Sequence, residues 1–139
     1  MSSPVAYGSP ISLEVAKKVA AAALAEARKN NWTMAVAIVD CGGYLVYFEK
    51  MDNTQLAGPK IAIDKARSAA LFKRPTKVMQ EMLAAGGAGV RILRLRGAIP
   101  VDGGLPLFSE GKIIGAVGMS GDSSENDGQC CAAGAAVLK

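Results

Sequence analysis

The sequence predicts an α/β (α+β) domain of three layers, a five-stranded antiparallel sheet with helices on both faces. Two observations carry this. Residues 34–52, MAVAIVDCGGYLVYFEKMD, and 105–120, LPLFSEGKIIGAVGMS, each read as two strands joined by a tight turn, at Asp40-Cys41-Gly42-Gly43 and at Glu110-Gly111. Gly accepts the positive φ of such turns, and Asp caps them from its own side chain. Around both hairpins lie Ala-rich stretches with apolar residues at helical spacing.

The first helix begins at Ser12, a good N-cap, with Glu14 in the first turn where the helix dipole favours an acid. Val15, Val19, Ala23 and Ala27 form its apolar stripe, widened by Ala16, Ala20 and Leu24, and it ends near Asn30-Asn31. Thr33–Asp40 is a strand with Met34, Val36 and Ile38 on one face and Ala35, Ala37 and Val39 on the other. Both faces are apolar, so it is central and covered on both sides. Tyr44–Glu49 returns antiparallel. Pro59 opens a second helix running to about Lys73, with Ile61, Ala62, Ala66, Ala69 and Ala70 inward, and Pro75 stops it. Thr76 caps a short helix to about Met82, and Ala84–Gly89 forms a hinge. In residues 90–96, Arg91, Arg94 and Arg96 interleave with Ile92, Leu93 and Leu95 and fit neither the helical nor the strand period. Gly97–Val101 then reads as a short strand, Asp102-Gly103-Gly104 as a turn and Leu105–Ser109 as a strand. Lys112–Met119 is the second strand with two apolar faces, and a last helix covers Glu125–Leu138. Placing the two central strands side by side gives the order 2-1-5-4-3, a profilin-like arrangement in one domain over residues 1–139.

Half the residues are apolar and 20% are charged, against roughly 25% in an average soluble domain. A chain of 139 residues struggles to bury that much apolar surface alone, which predicts self-association. The net charge of +4 mildly favours anionic small molecules. With no dense basic run and seven aromatics, the chain offers no stripe or stacking platform for nucleic acid. The start MSSPVAYGSP lacks a signal-peptide pattern, and Val19–Leu24 is too short to span a bilayer. The expected location is the cytoplasm, with no membrane partner. Cys41, Cys130 and Cys131 make neither a disulfide framework nor a zinc spacing. The absence of His removes Ser-His and Cys-His dyads, imidazole metal ligation and the usual haem ligand.

Four segments in order, AIVDCGGYLVYFEKMD (37–52), AIDKARSAALFKRPT (62–76), GGLPL (103–107) and IIGAVGMSGDSSENDGQCCAAGA (113–135), resemble the GlcG/HbpS-like group, which includes the C-terminal domain of PduO-type proteins. The resemblance covers nearly the whole chain. It implies a profilin-like sandwich and homo-oligomers of four or eight chains. For some members it implies haem binding, with degradation or sensing; others sit in catabolic operons. Here the absence of His disfavours haem, leaving Tyr7, Tyr44, Tyr47, Met51 or a cysteine as chemical substitutes for the ligand. The residues themselves call for no cofactor and no metal.

Four sets of residues can carry chemistry. Asp52, Lys65 and Arg67 combine a carboxylate with two cations; they can bind an anion or, if burial shifts Lys65, move a proton. Equally, Lys65 can cap the sheet and Arg67 can be solvated. Glu125 and Asp127 open the last helix, as dipole partners or as an acid/base pair. Residues 118–123, GMSGDS, place Ser120 and Gly121 in a strand-to-helix turn whose amides can hold an anion or merely make the turn. Cys130 and Cys131 near a helix start are nucleophile candidates, or small buried filler. The site is expected where residues 120–127, Met51-Asp52 and the Lys65 face meet, with Arg91, Arg94 or Arg96 contributed by a neighbouring subunit. Two functions remain: a homo-oligomeric accessory protein binding an anionic metabolite or tetrapyrrole, or a cofactor-independent enzyme acting on a small organic acid by proton transfer, elimination or hydrolysis.

Overall fold

The computed structural model describes residues 4–139. Helix α1 (Leu13–Lys29) starts where Ser12 Oγ accepts the Val15 N–H at 3.2 Å and stops as Asn31 turns to φ 60°. The hairpin β1 (Ala35–Asp40) and β2 (Leu45–Lys50) is closed by Asp40, whose Oδ1 accepts the N–H groups of Gly42 and Tyr44. Helix α2 (Gly58–Phe72) carries Pro59 in its first turn and ends at Lys73 in the left-handed region. Helix α3 (Thr76–Ala85), a 3-10 helix (Gly87–Arg94), β3 (Gly104–Ser109), β4 (Lys112–Ser120) and α4 (Ser124–Ala135) follow, with a 3-10 turn at Ala136–Leu138.

The sheet has four antiparallel strands in the order β2-β1-β4-β3, so the five-stranded expectation is corrected. Residues 97–101 form no strand because other groups take their hydrogen bonds. Ile99 N–H donates to Ser68 Oγ at 3.0 Å, the Ala98 and Val101 N–H groups donate locally to the Leu95 and Ile99 carbonyls, and Pro100 has no N–H. The central position of β1 and β4 stands as expected, with Ala35 opposite Ser120 and Asp40 opposite Gly115.

Layering follows from side-chain size. Val36 and Ile38 of β1, with Val117 and Met119 of β4, pack against Val19, Ala23 and Leu24 of α1 and Cys130 and Cys131 of α4. On the other face Ala35, Ala37, Val39 and Ala116 meet Ala62, Ala66 and Ala69 of α2. Small residues bring α2 very close. A Cβ on Gly118 would collide with Ala62 O and lie 2.6 Å from Ala66 N. Ile61, expected in that stripe, is instead 37% exposed, and buried Lys65 and Ser68 take places on the inner side.

Two further local expectations are corrected. Thr76 does not cap α3; its hydroxyl turns inward and accepts the Gly104 N–H at 2.9 Å. The stretch Ala84–Gly89, read as a hinge, ends α3 at Ala85, turns with positive φ at Gly86 and Gly87, and runs on into the 3-10 helix. That helix explains the ambiguous run. With three residues per turn, Val90 and Leu93 share one edge, Arg91 and Arg94 the next, and Ile92 points inward, 4% exposed. Among the described residues, no helix is long and apolar enough to cross a membrane.

Candidate functional site

Lys65 sits on the inner face of α2, yet its charge is satisfied by a residue of the opposite layer. Nζ donates to Asp127 Oδ2 and to the Met119 carbonyl, both at 3.1 Å. The two side chains are 2% and 3% exposed. The crossing is possible because the chain beside Nζ, Gly103-Gly104, carries no side chains. A Cβ on Gly103 would lie 2.6 Å from Nζ, and one on Gly104 would lie 2.5 Å from Lys65 O. Gly103 also holds φ 125°, which disfavours side chains, and its carbonyl accepts from Met119 N–H at 2.8 Å and from Cys131 Sγ at 3.0 Å.

Burial pushes the Asp127 carboxyl above the usual range, opposed by the Lys65 charge and the Asp122 amide. Asp102, absent from the sequence-derived candidates, borders the same cluster. Burial raises its carboxyl too, against the pull of the Gly103 amide, Lys77 and Lys65. Its oxygens pack on α4 where Gly128 leaves room, 2.5 Å from the position of a Cβ. Glu125 is exposed in the first turn of α4 beside this group. The anion turn expected at 118–123 is filled by the protein's own carboxylates. Asp127 Oδ1 accepts the Asp122 N–H at 3.1 Å, and Asp122 Oδ2 accepts the Ser123 N–H at 2.8 Å. Ser120 is buried, and Gly121 packs against Thr33 and Met34. Cys130 and Cys131 are fully buried; burial raises both thiols, Cys130 to about 12, so neither is the activated nucleophile considered from sequence.

The other predicted residues lie elsewhere. Asp52 is exposed in an open groove of about 380 Å³ shared with Arg28, Glu49, Lys50 and Met51, and makes no ion pair with Lys65. Arg91, Arg94 and Arg96 are exposed on or just past the 3-10 helix. Arg67 lies on the outer side of α2 in a cleft of about 270 Å³ lined by Asp64, Leu71, Gly97 and Ile99. Asp64 already binds Lys60 at 3.1 Å, whereas Arg67 has no carboxylate partner among the described residues. The cleft was missed because Ile99 comes to α2 through the Ser68 hydroxyl, a pairing across 31 residues. No three of Cys, Asp and Glu among the described residues form a group able to hold a metal ion.

This architecture is a mixed α+β antiparallel sandwich in which a buried cation–carboxylate pair links the two helical layers. The chain belongs to the family described as haem degrading protein HbpS-like, matched over residues 11–136. It is 39% identical to Protein GlcG of Escherichia coli (strain K12) over 110 residues, 79% of this chain and 81% of that protein. A double mutant of Streptomyces reticuli HbpS superposes with a TM-score of 0.86 at 28% identity, covering 100% of this chain and 99% of that one. The PduOC:heme complex superposes with a TM-score of 0.84 at 23% identity over 94% of this chain and 96% of that one, a likeness of fold alone.

Proposed function

We propose that this protein is a homo-oligomeric accessory protein that binds a small organic anion in the cleft between α2 and residues 97–99. The observation that carries this is Arg67. Arg67 lines a cleft with Leu71 and Ile99, while the nearby carboxylate, Asp64, is engaged by Lys60. A planar, permanently charged fork beside apolar walls suits a carboxylate with a short carbon skeleton. The net charge of +4 favours the same class of ligand.

The enzymatic alternative finds less support. Of its candidate residues, Lys65 and Asp127 are closed to solvent and spent on each other and on backbone groups, while Asp52 and Glu125 are exposed and make no ion pair with Lys65. A substrate would have to displace that pair to reach it.

Haem, named in the family's description, fits this chain poorly. Haem iron takes His, Cys, Met or Tyr, and the chain has no His. The Arg67 cleft contains none of these residues. Tyr7 donates its hydroxyl to Ala70 O at 2.7 Å, Tyr47 donates to Glu49 at 2.6 Å, and Cys41 points at the carbonyls of Gly8 and Ile113. Tyr44 is 72% exposed on a hairpin, and Met51 shares its groove with four charged residues rather than an apolar slot.

Calorimetric titration with a panel of small mono- and dicarboxylates, and separately with haemin, tests the proposal. Saturable carboxylate binding is expected, weakened roughly tenfold or more in Arg67→Gln, as for a lost charge-assisted pair, and unchanged in Lys17→Gln on the exposed face of α1. Stoichiometric haemin binding unaffected by Arg67→Gln, with no carboxylate binding, would overturn it.

A further inference from the structure

Two opposite charges border the cleft on α2. Asp64 and Arg67 both line it, together with Leu71, Gly97 and Ile99. Side chains three positions apart on a helix are neighbours, about 5–6 Å apart at Cβ. These two nevertheless do not pair with each other. Asp64 takes Lys60 through Oδ2 at 3.1 Å, and Arg67 has no carboxylate partner among the described residues. Lys60 is 83% exposed and lies outside the cleft lining. A carboxylate offers about four acceptor sites, so one exposed ion pair leaves most of Asp64 open to a donor.

This arrangement discriminates among carboxylates. An acid with no other polar group meets Arg67 but brings a second negative charge beside Asp64, and like charges at that range repel. An acid with a hydrogen-bond donor next to its carboxylate gives Asp64 something to accept. The donor is a hydroxyl or an ammonium. Lys60 already supplies Asp64 with a cation, and Arg96 precedes Gly97 in the chain, so the charges around the cleft are mostly positive. A hydroxyl leaves the ligand its net negative charge and suits those surroundings better. The volume of about 270 Å³ falls just below the roughly 300–1,000 Å³ of pockets for drug-sized ligands, which keeps the carbon skeleton short.

We infer that the cleft selects a short carboxylic acid with a hydrogen-bond donor beside its carboxylate. Arg67 holds the carboxylate and Asp64 accepts the donor, which makes Asp64 the residue that determines specificity. This inference rests on the proposed carboxylate site and names its ligand class.

Four acids of one carbon skeleton test it by calorimetric titration at neutral pH: lactate, its methoxy analogue, free alanine and propionate. Lactate should bind roughly tenfold or more tightly than propionate and the methoxy analogue, neither of which can donate, with alanine in between. Asp64→Ala, which places the best helix former on α2, should weaken lactate alone and so erase its preference over propionate. Lys60→Gln should keep that preference, because Asp64 acts on the ligand directly. Equal binding of lactate and its methoxy analogue, or a preference that survives Asp64→Ala, overturns the role of Asp64 and leaves the carboxylate site standing. Alanine bound more tightly than lactate overturns the hydroxyl as the favoured donor. Failure of all four acids to bind the wild type overturns the inference and the carboxylate site together.

Discussion

Lys65 carries its ammonium past two side-chain-free glycines to a carboxylate on the far layer, and this one pair joins α2, β4 and α4. Removing one member strands the other charge in the interior, so Lys65→Met and Asp127→Asn should each cost about 3–5 kcal/mol. The double variant Lys65→Met/Asp127→Leu should recover much of that loss, since it leaves no buried charge. Urea denaturation of the three variants at one protein concentration checks this; single variants within about 1 kcal/mol of wild type would contradict a buried, paired charge. The Cys130 thiol supplies a pH signature. Burial raises it from 9.0 to about 12, with Glu26, Asp127 and Asp122 adding to the effect. Its folded value lies above its unfolded one, so its contribution is complete below pH 9.0 and is lost as pH climbs toward about 12. Thermal melts across that window should fall less steeply in Cys130→Ala than in wild type, and equal slopes would contradict the assignment. Lys65 was visible in the sequence as a cation on an apolar helix face, and Asp127 as an acid in a first turn. The sequence also brought the Lys65 face to residues 120–127, but it set Asp52 there as well; the closed pair with Asp127 was not legible, because it spans 62 residues and passes through a glycine turn with no side-chain pattern to announce it.

At the scale of elements, helices and hairpins were legible wherever local chemistry decides the outcome. Ser12 caps α1, Asp40 closes the first hairpin, and the two alternating faces of β1 pack as their side chains demand. Where a distant group decides, the sequence misleads. Residues 97–101 read as a strand, but the Ser68 hydroxyl of α2 takes the Ile99 amide first. The 3-10 helix Gly87–Arg94 was illegible for another reason, since its period of three matches neither the 3.6 of an α-helix nor the two of a strand. Gly118 shows how closely the elements are fitted. Alanine there would press on the α2 backbone at Ala62 and Ala66, so Gly118→Ala should cost about 1–3 kcal/mol. A fall in the thermal midpoint checks it, and a midpoint at or above that of wild type would mean that α2 does not lie where described.

The whole molecule distributes its roles over separate surfaces. The sandwich interior holds the Lys65–Asp127 pair, α2 turns Arg67 outward into a cleft, and α3 and the 3-10 helix leave Val78, Met82, Val90 and Leu93 exposed. Lys65 and Asp127 are buried against each other, Asp52 and Glu125 are exposed away from that contact, and the cleft on α2 presents Arg67, which does not give up its proton. The most direct test is to map a bound carboxylate by amide chemical-shift changes on the deuterated, assembled protein. Shifts should concentrate on Asp64, Arg67, Leu71, Gly97 and Ile99 and vanish in Arg67→Gln. Shifts centred instead on Glu125–Asp127 and Asp102, or on the Asp52 groove, would contradict the account.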